Sequence, residues 1–135
     1  MSPTPRRVVR IITRLNVGGP SIQAINLSRE LAAEGFETCL IHGHLADGEG
    51  DMREFLPTAG IDTQYVDDLV RSISPVKDLR AFWRVYRVLR QWQPDIVHTH
   101  QAKAGAVGRL AALFYNWRRG SVGGSRLIHT YHGHV

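Results

Sequence analysis

Val8-Val9-Arg10-Ile11-Ile12-Thr13-Arg14-Leu15-Asn16-Val17-Gly18-Gly19-Pro20 decides how the rest of the chain is read. Val8–Thr13 carries little alternation of apolar and polar residues, so it reads as a strand buried on both faces. A glycine pair follows. From Pro20 to Glu34, Ala24, Leu27, Ser28, Leu31 and Ala32 recur at helical spacing, with Gln23, Asn26, Glu30 and Ala33 on the other side. Pro20 suits the first helical position and Gly35 the C-terminal stop. Strand, tight turn and helix in this order aim unpaired backbone N–H groups, and the positive end of a helix dipole, at whatever lies above the strand. An anionic group is the natural guest. The stretch therefore implies an α/β unit built to handle a phosphate or a nucleotide-sugar.

The later elements fit that start. Phe36–His42 reads as a second strand, and His42 to Asp51 as a loop rich in Gly, Asp and His. Asp51–Ala59 is expected to be a short helix containing Phe55 and Leu56, interrupted near Pro57 and ended by Gly60. Ile61–Val66 is a weaker third strand. Ser74 is expected to cap a long helix from Pro75 to about Gln93, with Leu79, Phe82, Tyr86 and Leu89 as its inner stripe. Arg80, Arg84 and Arg87 share another face of it. Ile96–Thr99 is a fourth strand opened by Pro94-Asp95, followed by a small-residue helix over about Lys103–Tyr115. Asn116 to Ser125 reads as a basic, glycine-rich loop and Arg126–Tyr131 as a fifth strand.

Strands alternating with helices call for a parallel, Rossmann-like sheet with right-handed crossovers and helices on both faces. The economical order is 3-2-1-4-5, with its reversal between strands 1 and 4. This order makes the ends of strands 1, 4 and 5 neighbours on the carboxyl edge, where such sheets bind ligands. Those ends carry Gly18-Gly19, His98-Thr99-His100 and His132-Gly133-His134. Three unusual motifs meeting on one edge are harder to explain as core filler than any one of them.

Bulk properties narrow the field. A chain of 135 residues suits one domain with one core. Apolar content of 43% and charged content of 21% exclude an intrinsically disordered segment. No apolar run reaches the length of a membrane span, and Met1 to Pro5 leads into Arg6-Arg7 rather than a signal peptide, so a cytoplasmic location is expected. The single cysteine, Cys39, excludes an internal disulfide and reads as a buried filler of the second strand. The net charge of +5 is carried almost wholly by arginine, Lys77 and Lys103 being the only lysines, and favours anionic partners. The Arg80–Arg84–Arg87 face, flanked by Trp83 and Trp92, could lie on anionic lipid, as could Trp117-Arg118-Arg119-Gly120. A solvated helix face is the commoner use of such a stripe.

Each motif also has a plain explanation. Gly18-Gly19 serves a tight turn as readily as a ligand. Neither G-x-G-x-x-G nor G-x-x-x-x-G-K-[ST] is present, and strand 2 ends in His42-Gly43-His44 rather than a ribose-holding acid. A nicotinamide cofactor and a P-loop nucleotide are poorly supported. His98-x-His100, His132-x-His134 and His42-x-His44 could each bite a metal, since residues two apart on a strand share a face. Acidic ligands are missing from that edge, Asp95 lying at the opposite end of strand 4, so no metal is expected. His132, beside Gly133, suits donation to a sugar hydroxyl or acid/base work near neutral pH, or is a terminal histidine without a role. His129 reads as structural.

I-I-T-R-L-N-V-G-G-P-S near the start, P-D-I-V-H-T-H-Q-A-K-A-G in the middle and H-T-Y-H-G-H at the end resemble, in order and spacing, the N-terminal domain of family 4 glycosyltransferases. These are retaining, metal-independent enzymes of the two-domain GT-B architecture, with the acceptor held mainly by the N-terminal half. The resemblance spans nearly the whole chain. It implies that residues 1–135 are an acceptor-side Rossmann-like domain, incomplete at its C-terminal end. It implies that Gly18 and Gly19 lie beside the donor diphosphate and His132 near the transferred sugar. His100 and the Lys103–Gly105 turn would line the acceptor side, and Asn16 and Gln23 would touch the acceptor. The implied partners are a nucleotide-diphosphate sugar, a glycan or lipid-linked acceptor and a C-terminal domain, with peripheral membrane contact as an option and no nucleic acid. The family's second domain, with its paired acids and phosphate-binding basic residues, is not in this sequence, so the chain alone is expected not to transfer sugar. Three rivals remain open: a stand-alone nucleotide- or anion-binding module or acceptor subunit of a split transferase, a sugar-nucleotide epimerase, and a metal-dependent hydrolase. The epimerase needs cleft carboxylates that this half does not visibly supply.

Overall fold

The computed structural model describes residues 6–13, 19–43, 62–70, 74–120 and 123–130. Five strands, β1 (Arg7–Ile12), β2 (Glu37–His42), β3 (Asp62–Tyr65), β4 (Ile96–His100) and β5 (Arg126–Thr130), form one sheet in the order β3-β2-β1-β4-β5. Every pairing is parallel, as the alternation of elements required. Among the described residues three helices connect strands: α1 (Gly19–Ala33) joins β1 to β2, α2 (Pro75–Trp92) joins β3 to β4 and α3 (Ala102–Arg119) joins β4 to β5. The helix expected over residues 51–59 lies outside the described residues.

The sheet has two unlike faces. On one, Val9, Ile11, Cys39, Ile41 and Val97 pack against Val85 and Leu89 of α2 and Ala104, Val107 and Ala111 of α3. This is the apolar core. Small residues bring α3 close: a Cβ on Gly108 would stand 2.8 Å from Thr99 Cγ2 and 2.9 Å from Ile11 Cδ1. The other face carries Arg10, His42, His98 and His100 in neighbouring registers, and α1 lies over its β1 side through Ser28. Of these, Arg10 and His98 are bonded to each other, Arg10 also to Ser28 and His98 to Thr130, which offsets part of the cost of burying them.

Helix ends follow local chemistry, with two corrections. Gly35, at φ 96°, closes α1 with Phe36 N–H donating to Leu31 C=O at 3.0 Å and Gly35 N–H to Ala32 C=O at 3.1 Å. Ser74 precedes α2, but its hydroxyl makes no capping bond. Pro75 has no N–H to offer, and Asp78 Oδ2 instead accepts the Ser74 backbone N–H at 3.4 Å. Leu79, expected inside, is 60% exposed; Ala81, Val85, Val88 and Leu89 face the sheet, turning Leu79 outward. The third helix runs on to Arg119, through residues expected to be loop, because Asn116 both accepts the Ser125 N–H at 2.7 Å and donates to the Ser125 C=O at 2.9 Å. That side chain fastens the helix end to the entry of β5. At the amino edge Asp95 Oδ2 accepts the Arg7 N–H at 2.9 Å, so this acid staples β1 to β4 far from the carboxyl edge.

Candidate functional site

Parallel pairing carries the ends of β1, β4 and β5 to one edge, with Ile12 beside His100 and His100 beside Thr130. Because α1 and α3 each return the chain to the start of the next parallel strand, both helices begin at this edge. Their first backbone N–H groups have no acceptor within the helix.

Thr13 satisfies one of these donors. Its Oγ1 accepts the Ala104 N–H at 3.1 Å, taking the capping role at α3 that Gln101 does not fill, while the Gln101 Oε1 accepts the Thr13 N–H at 3.1 Å. Gln101 follows His100 directly and holds φ 72°, ψ 164°, a conformation that costs about 1–3 kcal/mol for a residue with a side chain. The edge between β1 and β4 is thus fixed by cross-bonds rather than by a loop's own preference.

Beneath the edge lies a buried cation. Arg10 is 2% exposed, donates through Nη1 to Ser28 Oγ at 2.7 Å and through Nη2 to His98 Nδ1 at 3.4 Å. The Ser28 hydroxyl in turn donates to the Ala24 C=O at 2.9 Å. Among the described residues no carboxylate pairs with Arg10, and burial pulls its guanidinium down from 12.5 to about 10. It stays charged at neutral pH. With Nδ1 accepting from this cation, His98 is assigned the neutral Nε2–H tautomer, which donates to Thr130 Oγ1 at 2.6 Å. Arg10, His98 and Thr130 therefore form a chain of bonds crossing β1, β4 and β5. His129 belongs to the opposite face, its Nδ1 2.7 Å from Thr99 Oγ1 and its ring against Gly105, where a Cβ would stand 2.5 Å from Cε1. A structural role for His129 fits this packing.

The residues expected at the site fall differently. Gly19 is the first residue of α1, and Gln23 is exposed on that helix one turn later. His100 ends β4 fully buried, its ring centroid 4.2 Å from that of His98. Lys103 lies in the first turn of α3, its Nζ 2.5 Å from Asp78 Oδ1, so it links the starts of α2 and α3. Asn16, Gly18 and His132 lie outside the described residues, and with them the meeting of Gly19 and His132. Both ring nitrogens of His98 are engaged with Arg10 and Thr130, so binding a metal through the His98–His100 pair would break that chain. Among the described residues no three His, Cys, Asp or Glu side chains gather as metal ligands do. Reading by pattern missed Arg10, Thr13 and Gln101. A lone charge in an otherwise apolar strand was a usable signal for Arg10; Thr13 and Gln101, 88 residues apart, left none.

The profile of glycosyltransferase family 4 matches residues 17–135. Among curated proteins, the chain is 33% identical over 98 residues to the UDP-Gal:alpha-D-GlcNAc-diphosphoundecaprenol alpha-1,3-galactosyltransferase of Escherichia coli, covering 66% of this chain and 24% of that protein. Among solved structures, a glycosyltransferase from Rickettsia africae matches with a TM-score of 0.73 at 16% identity over 98% of this chain and 31% of its own. MurG from Acinetobacter baumannii matches with a TM-score of 0.68 at 18% identity over 94% and 35%. At such identities these two likenesses concern the fold. The chain spans about a quarter to a third of the length of these proteins. A profile match running from just before the glycine pair to the last residue assigns the chain to a family: it belongs to glycosyltransferase family 4.

Proposed function

We propose that this chain is the acceptor-side half of a GT-B enzyme that transfers a sugar from a nucleotide-diphosphate sugar to a lipid-linked glycan, with retention of configuration, at the inner face of a membrane. The observation that carries this reading is the family match across residues 17–135, on a fold whose carboxyl edge gathers the ends of β1, β4 and β5 and the starts of α1 and α3. The E. coli relative, whose name states a galactosyl donor and a diphosphoundecaprenol-linked acceptor, makes that acceptor class the first to try.

In this proposal the N–H groups of Gly18 and Gly19 meet the donor diphosphate, His132 donates to a hydroxyl of the transferred sugar, and Asn16, Gln23, His100 and Lys103 lie on the acceptor side. Arg10 supplies positive potential beneath the edge without touching substrate, being buried and bonded to Ser28 and His98. Donor-sugar contacts and the rest of the diphosphate clamp belong to a second domain. The test is a radiolabelled transfer assay with UDP-galactose and a polyprenyl-diphosphate GlcNAc in neutral detergent. The 135-residue chain should bind the acceptor and transfer nothing, whereas a longer protein joining it to a second α/β domain should transfer, and lose at least about a hundredfold in kcat with His132→Ala. Turnover by the chain alone would end the half-enzyme reading.

A further inference from the structure

The outer surface of α2 and α3 carries a second feature that the sugar chemistry does not use. Val76, Leu79 and Trp83 on α2 and Leu110, Leu113 and Trp117 on α3 have the same spacing, i, i+3 and i+7, and all six point outward. Their exposure runs from 47% at Trp83 to 73% at Trp117, too much for core residues that merely reach the surface. The two helices run parallel, pinned at their starts by Lys103 and Asp78. Between them the Phe114 ring lies 5.6 Å from Trp83 and 5.8 Å from Trp117, so the two stripes join into one apolar surface.

Charge gives that surface a partner. The two helices hold nine Lys or Arg and a single acid, Asp78, which Lys103 neutralises locally. They carry a net +8 on a chain of net +5, so the remainder of the molecule is net acidic. Arg80, Arg87 and Arg90 flank the patch on α2, and Arg109 and Arg118 on α3, all exposed. Arg84 is turned aside to Asp67 and, at 3.2 Å, to Asp68.

We infer that this face docks flat on a bilayer rich in anionic phospholipid, with Trp83, Leu110, Leu113 and Trp117 at the headgroup–acyl boundary and the arginines on the phosphates. An apolar centre with a cationic rim, and tryptophans where the two meet, is the pattern of an interfacial surface. Among the described residues no helix is long and apolar enough to cross a membrane. A second copy of the chain is a poor occupant, because self-association would bring one strongly cationic rim against another. The docking also places the starts of α2 and α3, and with them the carboxyl edge, along one end of the membrane-facing surface. In orientation alone this rests on the acceptor reading: a lipid-linked substrate would enter the edge from the bilayer beside it.

Trp92→Phe leaves Trp83 and Trp117 as the fluorophores, and the resulting chain is titrated with vesicles of equal parts phosphatidylglycerol and phosphatidylcholine. A blue shift, quenching by lipids brominated on the acyl chain, and loss of binding in high salt are expected. Arg80→Gln with Arg87→Gln should lower the partition coefficient roughly 30-fold, since each basic residue near an anionic surface contributes on the order of fivefold. Leu113→Ser with Trp117→Ser should abolish acyl-chain quenching while the melting curve stays that of the parent. Equal binding to pure phosphatidylcholine, absence of acyl-chain quenching, or a lipid-free dimer that already shields both tryptophans would overturn the inference. Anionic-vesicle binding by a chain that ignores the polyprenyl-diphosphate glycan in neutral detergent would support the surface and remove the acceptor reading. Glycan binding without vesicle binding would do the reverse.

Discussion

Replacing Arg10 by methionine should make the chain more stable. The guanidinium is a base whose folded pKa falls from 12.5 to about 10, so the native state holds its proton less tightly than the unfolded chain does. At neutral pH both states are protonated, and the full penalty, roughly 3 kcal/mol at about 1.4 kcal/mol per unit, acts against folding. It is relieved only as the pH rises from about 10 towards 12.5. Methionine has a similar length and no charge, so it removes the penalty without a large cavity. The substitution forfeits the bonds to Ser28 Oγ at 2.7 Å and His98 Nδ1 at 3.4 Å. Those bonds are together worth about 1–2 kcal/mol, the second being long. Ser28 keeps its bond to Ala24 and leaves no orphaned hydroxyl. The net expectation is a gain of about 1–2 kcal/mol in urea unfolding at neutral pH, or a rise in Tm of about 3–6 °C, narrowing at high pH as the parent chain recovers its penalty. A loss of more than about 1 kcal/mol would refute the reasoning, since it would mean that the Arg10–His98–Thr130 chain stabilises the fold beyond what the buried charge costs. In a longer, active protein the same substitution should lower transfer while raising Tm, because the cation supplies potential beneath the edge.

Leu89→Ala, at a fully buried position between α2 and the sheet, should destabilise by about 2–5 kcal/mol in urea titration, through lost transfer energy and the cavity left behind. Gly108→Ala should also destabilise. The helix propensity gained is about 1 kcal/mol, while a Cβ 2.8 Å from Thr99 Cγ2 and 2.9 Å from Ile11 Cδ1 overpacks the α3–sheet contact by about 1–3 kcal/mol; a stabilised variant would show that α3 can move outward freely. Burial pushes the Cys39 thiol up from 9.0 to about 12, so native protein should resist iodoacetamide at pH 8.5 and react only on unfolding. Because the unfolded thiol ionises first, stability should decline as the pH climbs from 9 towards 12, and Cys39→Ala should lack that contribution to the alkaline decline.

Much of the fold was legible in local pattern. The both-faces-buried run of β1, the Pro20 and Gly35 boundaries of α1 and the alternation of strands with helices sufficed for a parallel sheet and its strand order, because chirality and loop length leave few alternatives. Which side of a helix turns inward was less legible. Leu79 and Leu89 look alike in a periodic count, and only the fit of Ala81, Val85 and Val88 against the sheet settled that Leu79 faces out. The same contacts left Trp83 and Trp117 on one outward surface.

The amino-acid order by itself determined the element types, the meeting of strand ends at one edge and, through three short motifs, the family. Only the tertiary structure decided what the polar residues at that edge are doing. Arg10 bonds to Ser28 and to His98, 88 positions later, His98 bonds on to Thr130, Thr13 caps a helix that starts 89 positions later, and Lys103 is held by Asp78. The physical reason is range. Periodicity and capping act over one or two turns and are written in neighbouring residues, whereas a buried hydrogen bond depends on which strands the topology places side by side.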